Sequence, residues 1–190
     1  MKELKTRKNI RLKNYDYSQK GMYFITICTK NREPILSKIN KIADVGAGLV
    51  PAHDGKNNIH KIELTHIGKI IENEIYNLEK NNPIKIESYV IMPNHIHFIV
   101  NLCKLHWNRN EKYDIYLRAG TRPAPTIPNI VRDLKSKTTL EYIKYNKQIG
   151  EYKKLWQRNY YEHIIRNENE YYRICEYIKN NPNIWEDDIC

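Results

Sequence analysis

The chain has 190 residues, with 32 Lys and Arg, 22 Asp and Glu, 15 Tyr and 3 Trp, so its formal net charge is +10. This length predicts one domain with its own core, and the charge favours a polyanionic partner such as nucleic acid, although a solvated surface alone can carry such a charge. The four cysteines form no CxxC pair, which argues against a disulfide scaffold and a zinc ribbon. The N-terminus lacks a signal-peptide core, and no run approaches the roughly 20 apolar residues of a membrane span. These features argue against a membrane protein and predict a cytoplasmic one.

The first half of the chain predicts a basic arm, a strand, a helix and a pair of strands. Residues 1–20 are basic and polar and are expected to form an arm ahead of a single domain at 21–185. Aromatic and β-branched residues indicate the strands, and apolar residues at helical spacing behind Thr65, a favoured N-cap type, indicate the helix. Pro93-Asn94 separates the paired strands, which predicts a β-hairpin with a two-residue turn or a slightly wider loop. The predicted elements are a strand at 22–29, a helix at 64–81, and strands at 84–92 and 95–102.

The second half predicts a helix, a strand and a final helix. The final helix is bounded by Asn167, a favoured N-cap type, and by Pro182, which a helix interior does not tolerate. Inserted loops are predicted near 41–60 and 104–126. The order β, α, β-β, α, β, α predicts an α+β fold, a sandwich in which an antiparallel sheet has helices packed on one face. The predicted elements are a helix at 127–147, a strand at 155–166 and a helix at 167–182.

Two histidines stand two residues apart in the strand-like run "VIMPNHIHFIV" (90–100). Because side chains alternate along a strand, His95, His97 and Ile99 share one face while the apolar residues between them pack under the helices. Two imidazoles at this spacing can converge on one divalent ion or one phosphate oxygen, and a metal would need a third ligand from elsewhere. The alternative is a pair of structural histidines, each hydrogen-bonded to backbone or water.

The final helix carries a phenol and an amide one turn apart. Tyr177 and Asn181 are four residues apart and therefore share one face of that helix. The same spacing also fits an ordinary packing stripe with Ile174 and Ile178. A phenol with a pKa near ~10 is a poor nucleophile in water, but beside a cation that polarises a phosphodiester it can attack phosphorus.

Three stretches together resemble the REP-associated tyrosine transposases, which belong to the single-tyrosine HUH transposases. They are "RKNIRLKNYDYSQKGMYFITICTKNRE", "YVIMPNHIHFIV" and "LWQRNYYEHIIRNENEYYRICEYIKNNP", in family order across most of the chain. The resemblance implies a ferredoxin-like (RRM-like) sandwich that cleaves and rejoins single-stranded DNA beside short hairpins. It implies that His95, His97 and Asn181 bind Mg²⁺ or Mn²⁺ and that Tyr177 forms a 5′-phosphotyrosine linkage, leaving a 3′-hydroxyl.

Other tyrosines compete for the role of nucleophile. Tyr160 and Tyr161 lie in a strand-like segment, where alternation lets one of them face the sheet surface. Tyr171 and Tyr172 lie on the final helix but point away from the face of the residues at 177 and 181. Tyr177 is preferred because it pairs with a polar residue one turn later and matches the family position.

Basic and aromatic residues outside this group are candidate DNA contacts, because arginine and lysine bind phosphates and aromatic rings stack on exposed bases. For each of them a solvated charge or a core aromatic is an equal alternative, and His163 is either structural or a DNA contact. The candidates are Arg7, Lys8, Arg11, Lys13, Trp156, Gln157, Arg158 and His163.

The leading interpretation is a DNA strand transferase whose partner is a single-stranded DNA hairpin. Two alternatives remain at this point: a non-catalytic, repressor-like hairpin-binding protein, and a metal-dependent phosphodiesterase that uses water as the nucleophile. The sequence leaves open whether the protein acts as a monomer or a homodimer.

Two peptides depart from a composition dominated by Lys, Asn, Ile and Tyr, whose codons are rich in A and T. They are "VGAGLVPA" (45–52) and "AGTRPAPT" (119–126). The reverse complement of GTN GGN GCN GGN CTN GTN CCN GCN, read one base out of phase, encodes the second peptide at all eight positions. We infer that the gene contains one GC-rich DNA repeat twice, in opposite orientations, and that suitable codons make each copy a hairpin. Convergent Gly- and Pro-rich loops are a poor alternative to eight consecutive matches.

Overall fold

A computed structural model describes residues 20–41, 60–102, 125–148, 150 and 154–187. All of the predicted basic arm except Lys20, including Arg7, Lys8, Arg11 and Lys13, lies outside the described residues, as do the peptide 45–52 and most of 119–126. The strands are β1 (Gly21–Cys28), β2 (Ser37–Lys41), β3 (His60–Leu64), β4 (Lys85–Ile91), β5 (His95–Leu102) and β6 (Tyr161–Ile165). The helices are α1 (His66–Asn81), α2 (Ile127–Gln148) and α3 (Glu168–Asn180), with short 3₁₀ turns at Lys30–Arg32 and Asn181–Asp187.

Four strands form one sheet in the order β4-β5-β1-β6, and every neighbouring pair is antiparallel. With α1 after β1 and α2 after β5, this is the ferredoxin-like arrangement, and the predicted α+β class is confirmed. The central strand β1 places Thr26 directly opposite His97 of β5 on one side and Tyr161 of β6 on the other. That row across the sheet determines which side chains meet at the candidate site.

The two faces of the sheet bury different side chains. On one face, alternate residues of β1 and β5 such as Ile25 and Phe98 pack with α1 and α2 in the larger core. On the other face, Phe24 and Ile99 pack with Ile174 and Ile178 of α3 in a second, smaller core. Helices α1 and α2 therefore cover one face, while α3 lies on the face that carries the histidines.

Local signals position the helices as the sequence predicts. The Thr65 hydroxyl accepts a hydrogen bond from the Gly68 backbone N–H at 3.1 Å, and the Asn167 side chain accepts one from the Glu170 N–H at 2.9 Å. Such caps satisfy N–H groups that have no partner within the helix. Both predicted N-caps are confirmed. No helix in the described residues is long and apolar enough to cross a membrane.

The predicted strand at 155–166 is wrong for its first six residues, because β6 covers Tyr161–Ile165 alone. Trp156 instead makes an isolated bridge with Thr29, and its indole N–H donates to the Thr138 hydroxyl of α2 at 2.9 Å. The Lys30 N–H also donates to the Leu155 carbonyl oxygen at 2.8 Å and the Gln157 N–H to that of Cys28 at 3.0 Å, so this segment pairs with the end of β1 without forming a continuous strand. Alternating polarity alone does not distinguish this path from a strand.

The structure also contains a two-stranded ribbon that was not predicted, in which β2 pairs antiparallel with β3 from Ser37↔Leu64 to Lys41↔His60. Its strands are short and mostly polar, "SKINK" and "HKIEL", and the second ends where the predicted helix begins. At the other end of the chain, α3 ends at Asn180, and Pro182 lies inside the following 3₁₀ turn.

Candidate active site

Two imidazoles of β5 lie buried side by side beneath α3. His95 and His97 are 0% and 2% exposed, and their ring centroids are 4.4 Å apart. Strand alternation directs both towards the same face as Ile99. Burying two polar rings together costs free energy unless their nitrogen atoms have partners.

One nitrogen of each ring is held by a neighbouring side chain. His95 Nδ1 lies 2.7 Å from Oδ1, the side-chain amide oxygen of Asn94, and His97 Nδ1 lies 2.8 Å from the Thr26 hydroxyl. Because an amide oxygen can only accept, His95 Nδ1 carries the proton of that hydrogen bond, and Nε2 of the neutral ring keeps its lone pair. Partners of this kind on the far nitrogen fix the ring orientation of histidines that ligate metals.

Burial keeps the imidazole of His97 neutral. Burial, and secondarily the adjacent His95, lower the pKa of His97 to about 3. The neutral form can donate a ring lone pair to a cation at physiological pH, whereas a protonated ring cannot.

Helix α3 brings a phenol to the histidines. Its apolar stripe, Ile174 and Ile178, packs on the sheet, and Tyr177 lies beside this stripe. The Tyr177 hydroxyl oxygen is 3.4 Å from His97 Nε2, and the two ring centroids are 5.4 Å apart. Tyr177 also packs edge-on against Phe24, with ring centroids 6.2 Å apart. The contact needs no second copy of the chain.

A buried amide follows one turn later. Asn181 is 0% exposed, and neither atom of its amide has a hydrogen-bond partner within the described part of the chain. Leaving a buried polar group unpaired costs about 1–3 kcal/mol, and such groups in native proteins often face an ion or a water. In the same 3₁₀ turn, Trp185 lies against His95 with ring centroids 6.1 Å apart.

These donors fit a divalent cation. Nε2 of His95, Nε2 of His97 and the amide oxygen of Asn181 are donor atoms that divalent cations accept, and the oxygen ligands that Mg²⁺ and Mn²⁺ prefer would come from this amide, substrate and water. The described residues hold no group of three or more His, Cys, Asp or Glu side chains arranged for a metal. Among the described residues, a third protein ligand would therefore be of another type, such as an amide.

Of the candidate DNA contacts within the described residues, Trp156 is a core residue. It is 8% exposed, its indole is bonded to Thr138, and it packs in the larger core. Stacking on a base would require it to leave that core. Gln157 is half-buried and Arg158 is exposed, in the segment that follows.

The 157–159 segment is held by a lysine that sequence analysis did not single out. Lys135 of α2 donates to the carbonyl oxygens of Gln157, Arg158 and Asn159 at 3.0, 3.4 and 2.9 Å. Its ammonium group also lies 5.7 Å from the centroid of the Tyr160 ring. Burial lowers the pKa of Lys135 to about 8.

His163 takes part in a network at the start of α3. Its Nε2 lies 2.7 Å from one carboxylate oxygen of Glu170, whose other oxygen accepts from the Arg166 N–H at 2.8 Å. These hydrogen bonds hold the Glu170 pKa below its ordinary value, the backbone one first. The contacts of His163 are those of a residue that secures the turn from β6 into α3.

Among the competing tyrosines, alternation resolves the pair at 160 and 161. Tyr160 packs against the larger core, whereas Tyr161 is 49% exposed on the histidine face, with its ring centroid 6.5 Å from that of Phe24. Tyr172 of α3 is 64% exposed. Tyr161 is thus an exposed aromatic ring beside the site, and its position opposite Thr26 follows from a register that the sequence does not reveal.

No protein-family model matches the chain. An uncharacterized protein of Haemophilus influenzae (strain ATCC 51907 / DSM 11121 / KW20 / Rd) is 36% identical over 187 residues, which cover 96% of this chain and 91% of that protein. A solved structure of a REP-associated tyrosine transposase bound to a REP hairpin matches with a TM-score of 0.51 and 19% identity, over 91% of this chain and 73% of that one. At this identity the likeness establishes the fold.

Proposed function

The chain belongs to the same family as the uncharacterized Haemophilus influenzae protein and shares its fold with a REP-associated tyrosine transposase, and we propose that it is a metal-dependent DNA strand transferase. It cleaves and rejoins single-stranded DNA beside short hairpins. The observation that carries the proposal is the 3.4 Å approach of the Tyr177 hydroxyl to Nε2 of His97 in a buried site.

Residues of the site divide the work between holding a cation and attacking phosphorus. His95, His97 and Asn181 would hold Mg²⁺ or Mn²⁺, which supplies Lewis-acid polarisation of the scissile phosphodiester. Thr26 and Asn94 fix the two imidazoles so that their Nε2 atoms stay available. The position of the phenol beside the ligand set is what an attack on a polarised phosphate requires.

The chemical step is a transesterification. The Tyr177 oxygen forms a bond to phosphorus while the bond from phosphorus to the 3′ oxygen breaks; the phenol proton is released, and the 3′ oxygen takes up a proton. The products are a 5′-phosphotyrosine and a free 3′-hydroxyl. Attack of a 3′-hydroxyl on the phosphotyrosine reverses these bond changes, which rejoins strands without external energy.

A labelled hairpin oligonucleotide with a single-stranded flank tests the proposal. The chain is incubated with it and Mn²⁺ or Mg²⁺ and run on a denaturing gel, with Tyr177→Phe as the test variant and Tyr172→Phe, exposed on the same helix, as the control. An adduct formed by the unmodified chain and by Tyr172→Phe, but lost in Tyr177→Phe, supports the transferase. Cleavage without an adduct would instead indicate hydrolysis by water, and retention of uncleaved DNA would indicate a binding protein. Tyr161→Phe distinguishes a second candidate nucleophile in the same assay.

A further inference from the structure

Two segments of the chain translate the same DNA sequence from opposite strands, as the match between residues 45–52 and 119–126 indicates. We propose that this DNA repeat, inserted twice into the gene, is itself a hairpin substrate of the candidate active site. The proposal rests on the proposed function and names the DNA on which that function acts.

The fold supports an inserted origin for the first copy. Lys41 and His60 are directly paired at the open end of the β2–β3 ribbon. Antiparallel strands paired in this way can be joined by two to five residues, yet residues 42–59 lie between them. The ribbon therefore has no need of so long a connection, and a DNA insertion at this point lengthens a loop at little closure cost.

The second copy also lies between two elements of the fold, and its last residue, Thr126, accepts a hydrogen bond from the Asn129 N–H at 3.4 Å at the start of α2. It falls between Leu102, the last residue of β5, and Ile127, the first of α2. Both copies thus interrupt the gene between elements that pack in the fold. Insertions that broke a strand or helix would have removed packing or hydrogen bonds from the core, so translated copies can persist at these two places.

The codons of the two copies constrain the DNA more tightly than either copy alone. Arg122 must be encoded by AGR, because CGN would not complement the CTN codon of Leu49. The match extends by one further fixed base, because the first base of the His53 codon, C, is complementary to the middle base of the Arg118 codon, G. On the strand that encodes the first copy, the shared sequence is 5′-GTNG GNGCNGGY CTNGT NCCNGCNC-3′.

This sequence predicts its own secondary structure. The segments GNGCNGGY and NCCNGCNC align as the two arms of a stem around the loop CTNGT. In that alignment five base pairs are fixed by the amino acids, and all five are Watson–Crick pairs. The other three pairs involve third codon positions, which the protein sequence leaves free. A stem with a single-stranded flank is the kind of DNA on which the proposed function acts.

The nucleotide sequence of the gene is the first test. We expect third codon positions that complete the stem in both copies. The third positions of one copy should also be the complements of those at the matching positions of the other. Codons that leave all three variable pairs mismatched in both copies would overturn the proposal, because the repeat would then have no hairpin to offer.

The second test compares two hairpins on the full chain. One has the gene's own repeat with its flank; the control has the same loop, flank, stem length and base composition, with the order of the base pairs in the stem shuffled. Adduct formation is measured with the unmodified chain, and affinity with Tyr177→Phe. We expect the gene's own hairpin to bind at least about tenfold more tightly, since wrong bases at several recognised positions each weaken binding.

The outcomes separate this proposal from the proposed function. Equal binding and equal adduct formation with both hairpins would overturn the claim about the repeat and leave the transferase intact. Selective binding of the gene's own repeat without any adduct would support the claim about the repeat and contradict the transferase. Failure to bind either hairpin would overturn the claim about the repeat.

Discussion

The Tyr177 hydroxyl oxygen lies 3.4 Å from Nε2 of His97, although 80 positions separate the two residues in the chain. The contact exists because β5 is an inner strand of the sheet and α3 packs on the face to which His97 points. The proposed nucleophile and the proposed metal ligand therefore come from one copy of the chain.

This contact within one chain predicts that two inactive variants do not rescue each other. Tyr177→Phe and His97→Ala should each reduce adduct formation with a hairpin, by on the order of 10³-fold or more for loss of the nucleophile. A mixture of the two should stay as inactive as either one, because neither copy holds a complete site. Recovery of activity in the mixture, scored on a denaturing gel, would mean that sites are shared between subunits.

Replacing Asn181 with leucine should change stability in opposite directions with and without a cation. Without a cation, Asn181→Leu removes a buried amide that has no partner among the described residues, so unfolding should cost about 1–3 kcal/mol more. At this chain length that is a rise in Tm of about 2–4 °C for each kcal/mol. With Mn²⁺, the unmodified chain should gain stability by binding the ion, and the variant should not.

Thermal unfolding with a Mn²⁺ titration measures both effects. Asn146→Leu is the matched control, since Asn146 is a second buried asparagine, on α2, away from the histidine face. Asn146→Leu should keep the response to Mn²⁺. A full Mn²⁺ response in Asn181→Leu would remove this residue from the ligand set.

Trp156 and Arg158 should separate stability from DNA binding. Trp156→Phe loses the hydrogen bond to Thr138 and should reduce the free energy of unfolding by about 1 kcal/mol, with hairpin affinity unchanged.

Arg158→Ala removes an exposed charge and should leave stability unchanged. If it contacts a phosphate, its loss should weaken binding and reduce the salt dependence by about one charge. Fluorescence anisotropy at several salt concentrations gives both quantities; a Trp156→Phe variant that folds normally but loses affinity would return this residue to the interface.

The two histidines and the final helix could be predicted because each has a local signature. His95 and His97 share a face through strand alternation, and α3 has both its Asn167 cap and its apolar stripe within a few turns. Thr26 could not be identified as a partner of His97, because that contact depends on the register between β1 and β5, which lie far apart in the sequence. Registers of this kind are determined by packing of the whole sheet.

The segment around Trp156 shows a second limit. A tryptophan among basic and polar residues suits both a DNA-binding surface and a core anchor, and composition does not distinguish them. Trp156 is a core residue because of contacts with α2. Its indole N–H donates to Thr138, and Lys135 donates to the carbonyl oxygens of the residues that follow. The ribbon of β2 and β3 was missed for a related reason. Its strands are short and polar, and each forms only by pairing with the other, so neither sequence alone predicts a strand.

Lys135 predicts a pH dependence with a defined sign. Burial lowers its pKa in the folded protein to about 8, below the ~10.4 of an unfolded lysine, so between these values the unfolded chain binds more protons. Stability from this group should therefore rise as the pH rises from about 8 to about 10. Lys135→Met keeps a long side chain but removes the titrating amine. The difference in unfolding free energy between the unmodified chain and Lys135→Met therefore isolates the effect.

Urea unfolding at pH 7 and pH 9.5 measures that difference. We expect it to shift in favour of the unmodified chain at the higher pH. Lys144→Met, at an exposed position on the same helix, is the control for exchanging a lysine for methionine. A difference that moves the other way for Lys135 would mean that its contacts with the carbonyls of 157–159 favour the charged form over burial.

Gly68→Ala should destabilise the protein, although alanine normally stabilises a helix by about 1 kcal/mol relative to glycine. A Cβ atom at Gly68 would collide with the backbone carbonyl oxygen of Leu36, which accepts hydrogen bonds from both the N–H and the hydroxyl of Thr65. Relieving the collision would shift α1 or break its N-cap, and overpacking of this kind costs about 1–3 kcal/mol or more. Gly21→Ala is the control, because its nearest neighbour, the Tyr23 ring, is at an ordinary 3.6 Å. Urea unfolding should show a large loss for the first variant and little for the second; a stable Gly68→Ala would mean that α1 does not approach Leu36 so closely.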